Sequence, residues 1–204
     1  MKLFSHYCSY GFSNCYILGS DNGADAIIID PGNMDKNILH TIEYNNFNLT
    51  AVFITHDHIG HVKGLSTLKR IYKADVYAVN QFVMDCKTNM VKDDDIIKVG
   101  DFSVKVISIP GHSSDSVVYQ IDSMLFTGDV LKAGLVGTTA SAYGATTQMN
   151  KLRSRLLSLP GDYIILPGHG PPTTMEAERR FNFDINSFNQ IKKKKHELKL
   201  DDLI

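Results

Sequence analysis

Three histidines fall within six residues in the stretch Ile54-Thr55-His56-Asp57-His58-Ile59-Gly60-His61. That residue type at that spacing points to metal chemistry, because neutral imidazole is a common ligand for divalent transition ions, zinc especially. The cluster follows Ala51-Val52-Phe53-Ile54, an apolar run short enough for a buried strand. On an extended segment, side chains two apart share a side, so His56 and His58 can grip one ion together. A turn after His58 brings His61 to the same pocket from another direction. The competing reading is a solvated loop that happens to carry histidines.

Four more polar residues weigh against that plain reading. Asp30 ends the apolar run Ala26-Ile27-Ile28-Ile29, His112 follows Pro110-Gly111, Asp129 closes Phe126-Thr127-Gly128-Asp129, and His169 sits in Pro167-Gly168-His169-Gly170-Pro171. Each stands at the end of a run that reads as a strand, beside glycine or proline. One aspartate in such a place is usually a turn or cap residue. With the histidine cluster they make five such sites in one chain, which points to a built site.

On these residues the sequence resembles the metallo-β-lactamase-fold hydrolases, especially their short glyoxalase II-like members. The likeness runs from about Ser13 to about Asn182, and its strongest parts are the histidine cluster, Thr127-Gly128-Asp129 and the stretch from Pro167 to Thr174. It implies an α/β fold, a four-layer αββα sandwich, with the site at one edge where strand-end loops converge. It also implies a two-metal site holding zinc, with iron or manganese as alternatives. His56, His58 and His112 would ligate the first ion. His61 and His169 would ligate the second, with Asp129 bridging both and Asp30 as a buried supporting acid. Asp129 and His169 would be the catalytic pair. One departure stands out: the family pattern His-x-His-x-Asp-His has glycine, Gly60, at its aspartate. That aspartate binds the second metal and orients the attacking hydroxide, so the sequence supports one ion more strongly than two. Strand alternation turns Asp57 away from His56 and His58.

Three imidazoles around zinc leave an open position for water and lower its pKa to about 7. The resemblance therefore implies hydrolysis of a small acyl compound, with a hydroxyacylglutathione-like thioester favoured. The motif does not choose among ester, thioester, lactone, amide and phosphodiester. Short family members carry Gly-Arg-Thr-Asp where this chain reads Gly137-Thr138-Thr139-Ala140. About thirty residues follow Thr174, too few for the helical glutathione-binding domain of the full-length enzymes. Two other readings stay open: a mononuclear iron persulfide dioxygenase using His56, His112 and Asp129, and a degenerate, non-catalytic metal-binding protein in which Gly60 marks lost activity.

The elements that position these residues read as strands at 13–19 and 25–30, a helix at 34–45, and a strand from Asp75 to Val79. Then come strands near Phe102 to Ile109, Val117 to Ile121 and Met124 to Thr127, a helix through Met149, Leu152, Leu156 and Leu159, a strand at Tyr163 to Leu166, and a short helical C-terminal extension from about Met175. Asp93-Asp94-Asp95 reads as a solvated loop, and Lys192 to Lys195 as a solvated helix end. The 204 residues form one domain with no linker or repeat. A net charge of −1 offers no global attraction to nucleic acid or an anionic membrane, which leaves a small-molecule substrate as the expected partner. The start of the chain lacks the apolar core of a secretory signal, and three cysteines without metal spacing fit reduced thiols in a cytoplasm.

Overall fold

A computed structural model describes residues 1–187, and the lysine run at 192–195 lies outside them. Two six-stranded mixed sheets face each other. The first takes β1 (Lys2–Cys8), β2 (Ser13–Gly19), β3 (Asp25–Ile29), β4 (Asn48–Phe53) and β5 (Asp75–Ala78) in chain order. A hairpin of β6 (Phe82–Val83) and β7 (Cys86–Lys87) then leads to β8 (Asn89–Met90) at that sheet's edge. The second sheet is built from β9 (Ile96–Val99), β10 (Phe102–Ser108), β11 (Val117–Ile121) and β12 (Met124–Gly128). The small ribbon of β13 (Leu131–Lys132) and β14 (Leu135–Val136) follows, and β15 (Ile164–Pro167) and β16 (Thr173–Thr174) complete the sheet.

Alternating side chains explain the layering, because each strand gives one face to the centre and the other to a helix layer. Between the sheets lie Tyr16, Phe53, Tyr119, Phe126 and their aliphatic neighbours. Phe53 stacks on Tyr77 with ring centroids 4.9 Å apart and meets Tyr119 edge-on at 5.1 Å. The outer face of the first sheet packs under α1 (Lys36–Tyr44) and α3 (Leu65–Ile71) through Ile38, Ile42, Leu65 and Leu68. The outer face of the second packs under α4 (Ala142–Lys151), continued by a π-helical turn over Leu152–Leu156, and under Met175 of α5 (Met175–Phe181). The result is the expected αββα sandwich. Because Met175 and Ile185 lie inside that outer core, the C-terminal helical segment is part of the packing layer rather than an appendage.

Helix starts follow their caps. The Asp35 carboxylate accepts from the amides of Asn37 and Ile38, and the Ser141 hydroxyl accepts from Gly144 at the head of α4. The acidic triplet is the solvated loop expected, and it is also tied down: Arg155 reaches Asp93 at 3.0 Å and Asp94 at 2.7 Å, and Asp95 accepts from the amide of Lys92. His40 lies exposed on α1, its ring against Tyr44. Among the described residues, no helix is long and apolar enough to cross a membrane.

The polarity of the strands places the site. β3, β4 and β5 run parallel, and β12 runs parallel to β15, so the ends carrying Asp30, Thr55-His56, Asp129 and His169 open toward one edge. The two sheets are tied there by β2. Asn14 donates from its amide to Gly168 O at 2.7 Å and from its side chain to Pro167 O at 3.0 Å, and the Tyr16 hydroxyl donates to Pro167 O at 2.7 Å.

Candidate metal centre

Four chain segments bring six donor residues together. His56, His58 and His112 hold ring nitrogens within 4.8 Å of one another, and His61, Asp129 and His169 form a second set to the same measure. Asp129 stands between the sets: Oδ2 is 3.7 Å from His112 Nε2 and 3.4 Å from His169 Nε2, while Oδ1 is 3.7 Å from His61 Nε2. The structure brings together the six residues singled out in the sequence, His112 meeting His56 across 56 residues.

The outer nitrogen of four rings is held, which fixes the inner one. His61 Nδ1 donates to Asp30 Oδ2 at 3.0 Å. Thr55 gives its hydroxyl proton to Asp30 Oδ2 at 2.6 Å, so its oxygen accepts from His56 Nδ1 at 3.0 Å. His112 Nδ1 donates to Thr138 O at 2.7 Å, and His169 Nδ1 donates to Phe12 O at 2.9 Å. Nε2 of all four rings therefore faces the centre, the atom through which each ring would ligate once it holds no proton there. His58 is turned the other way and presents Nδ1, 3.0 Å from His112 Nε2. Asp30 also accepts from the Thr55 amide at 2.8 Å, so one buried carboxylate orients both His56 and His61.

Three buried atoms at the centre, His56 Nε2, His61 Nε2 and Asp129 Oδ1, have no hydrogen-bond partner among the described residues. Leaving such groups unpaired costs about 1–3 kcal/mol each, so a ligand is expected there. Imidazoles with a shared carboxylate suit a divalent transition ion. The residues fit a metal.

Electrostatics agree. Burial, with His61 beside it, lowers the His56 pKa to about 3, keeping it neutral and ready to ligate. Burial and the neighbouring His112 lower that of His58. For His61 burial works downward but is outweighed by Asp129 and Asp30, which raise it to about 10. Burial works upward on Asp129, and His61 more than offsets it, holding the carboxyl well below the usual range. Without an ion, His61 is thus an imidazolium between two carboxylates, a proton that a metal replaces.

Gly60 lies in the short helix α2 (Ile59–Val62), and its backbone is outside the left-handed region. A Cβ there would stand 3.5 Å from Gly11 Cα, an ordinary contact. The constraint runs the other way: a Cβ on Gly11 would stand 2.6 Å from Gly60 Cα, and Gly11 has φ +76°. Asp57 is exposed, its amide donating to Asp115 Oδ2 at 2.8 Å, and it joins neither donor set. Sequence reasoning did not single out Thr55, Phe12 and Gly168. Thr55 had a signal, a hydroxyl directly before His56, and Gly168 sits in the quoted Pro-Gly-His run. A side chain on Gly168 would meet His61 Cε1 at 2.5 Å and Asp129 Oδ1 at 2.8 Å.

An αββα sandwich with paired histidine and carboxylate donors at one sheet edge defines a metallo-hydrolase-type scaffold. The chain belongs to the metallo-beta-lactamase superfamily, whose family model matches residues 9–169. It is 28% identical to the hydroxyacylglutathione hydrolase GloC of Haemophilus influenzae, over 85% of this chain and 93% of that protein. The crystal structure of ETHE1 from Myxococcus xanthus superposes with a TM-score of 0.82 at 27% identity, covering 91% of this chain and 84% of that one. The crystal structure of TTHA1623 in a di-iron-bound form superposes at 0.76 with 25% identity, covering 88% of this chain and 98% of that one.

Proposed function

We propose that this protein is a metal-dependent hydrolase of a small acyl compound, with a hydroxyacylglutathione-like thioester as the leading substrate type and zinc as the leading metal. The observation that carries this reading is the convergence of two donor sets on Asp129, with the outer nitrogens of four of their five rings already held. His56, His58 and His112 would hold one ion, and His61, His169 and Asp129 a second. Such an ion lowers the pKa of a bound water and polarises a carbonyl oxygen. The chain's own residues do the rest. Asp30, Thr55, Thr138 and Phe12 hold four of the five rings in orientation, so those rings need not reorganise when substrate arrives. Asp129 Oδ2, facing His112 and His169, is placed to accept a hydrogen bond from the incoming water. His169 is the more open side, with 28% of its side chain exposed against 11% for His112, which suits a departing thiol. The named activity of GloC supports the thioester preference.

A second reading, a mononuclear iron dioxygenase acting on a persulfide, is favoured by one contact. His112 Nε2 lies 3.7 Å from Asp129 Oδ2, so His56, His112 and Asp129 supply the two-histidine, one-carboxylate composition of non-haem iron sites. Elemental analysis of protein purified without added metal, followed by assays on thioesters, lactones, phosphodiesters and glutathione persulfide, separates the two. Zinc with thioester turnover supports the hydrolase. Iron with oxygen consumption replaces it. Asp129→Ala should remove most activity and weaken metal binding, and unchanged turnover and metal content in that variant would overturn the site assignment.

A further inference from the structure

Beside His112, between the loop at 110–114 and the first turns of α4, lies an open cavity of about 340 Å³, at the small end of ligand sites. Its walls include Pro110, His112, Ser113, Ala140, Tyr143 and Thr147, and among the described residues no lysine, arginine, aspartate or glutamate lines it. Tyr143 is 82% exposed, a large ring left in water at the cavity's mouth. In sequence, Asp115 directly follows Ser114 of the wall and accepts from the amide of Asp57, the residue before His58.

We propose that this cavity receives the acyl arm of the substrate, that it selects an uncharged, largely apolar acyl group over an anionic one, and that Tyr143 is the specificity-determining residue. The inference rests on the acyl-hydrolase reading of the centre. A carbonyl at the centre touches His112, and the cavity begins at that ring, while the leaving group departs past the more exposed His169. A carboxylate placed in the cavity would lose water without gaining a cation from its described walls, a cost with no compensation there. An apolar chain would instead cover the Tyr143 ring and the Pro110 and Ala140 walls.

The test uses the metal-loaded protein and two N-acetylcysteamine thioesters that share one neutral leaving group, hexanoyl and succinyl. The expected kcat/KM ratio favours hexanoyl by about tenfold or more, the scale on which apolar pockets discriminate. Tyr143→Ala should raise KM for hexanoyl with little change for acetyl, and Tyr143→Phe should restore it. Thr147→Lys should narrow or reverse the ratio by supplying the missing cation. Equal or better use of the succinyl ester by the wild-type protein overturns the proposal.

Calorimetry with two unreactive amides, N-ethylhexanamide and N-ethylsuccinamate, reads the cavity apart from turnover. Binding of the neutral amide alone, weakened by Tyr143→Ala, supports the assignment. Binding of neither, or tighter binding of the anion, overturns it. Selective amide binding without turnover of any thioester would keep the cavity assignment and sink the hydrolase reading instead.

Discussion

Asp30 Oδ2 stands 3.0 Å from Nδ1 of His61, and that contact decides which nitrogen of His61 faces Asp129. The same oxygen takes the Thr55 proton and so orients His56 as well. A single carboxylate thus sets one ring in each donor set. Asp30 itself is held with φ +51°, a left-handed conformation that aspartate and asparagine tolerate better than most residues.

Asp30→Asn is the substitution that isolates this role. Asparagine keeps the shape and the backbone conformation but removes the charge. It can also turn an N–H toward His61, which would put the proton on the nitrogen meant for the metal. Metal affinity should fall about 10- to 100-fold, the usual cost of losing such a support. A competition titration against a chromophoric chelator measures it, with circular dichroism as the control for folding. Affinity within about twofold of wild type would show that Asp30 does not set the rings.

The metal-free protein should have a stability maximum near neutral pH. The folded-state pKa of His56 is depressed to about 3, so below about 6.5 the unfolded chain takes up a proton that the folded one refuses, and stability falls as pH drops. The His61 pKa is raised to about 10, so its contribution is full below about 6.5 and is lost as pH rises toward 10. Thermal unfolding of chelator-treated protein from pH 5 to pH 10 checks both limbs. In His61→Gln the alkaline limb should flatten, and an unchanged limb there would assign it to another group.

How much of this was legible beforehand follows from where each signal resides. His56, His58, His61, His112, Asp129 and His169 were readable because side-chain type and strand-end position both appear in the sequence. The layers were readable because buried strands and amphipathic helices leave different periodicities. The partners of His112 and His169 were not, since Thr138 and Phe12 act through backbone carbonyls that any residue possesses. The solvated loop at Asp93 and Asp94 was legible, but its tie to Arg155 was not, because that partner lies 61 residues beyond Asp94. Nothing in a run of acids announces a distant guanidinium. Gly60 was noticed, but its backbone conformation depends on how the turn at Gly11 packs against it, a tertiary fact.

That packing bears on the second ion. His61, Asp129 and His169 supply two neutral donors and one carboxylate that also faces the first set, so two divalent charges would share one anionic ligand. The second ion should therefore bind more weakly than the first. Gly60→Asp adds a carboxylate at the turn between His58 and His61. Its Cβ makes an ordinary 3.5 Å contact with Gly11 Cα, and the helical backbone at position 60 carries no left-handed strain, so the variant should fold. Titrating metal into chelator-treated proteins should give one tight and one weak equivalent for wild type, and two equivalents of more similar affinity for Gly60→Asp. Gly11→Ala is the contrasting change: its Cβ would meet Gly60 Cα at 2.6 Å at a residue with φ +76°, so it should destabilise the fold by more than about 1 kcal/mol. Two equally tight ions in wild type would mean that some other group supplies the missing charge. A Gly60→Asp protein that folds normally yet gains no second equivalent would mean that position 60 does not reach the second donor set at all.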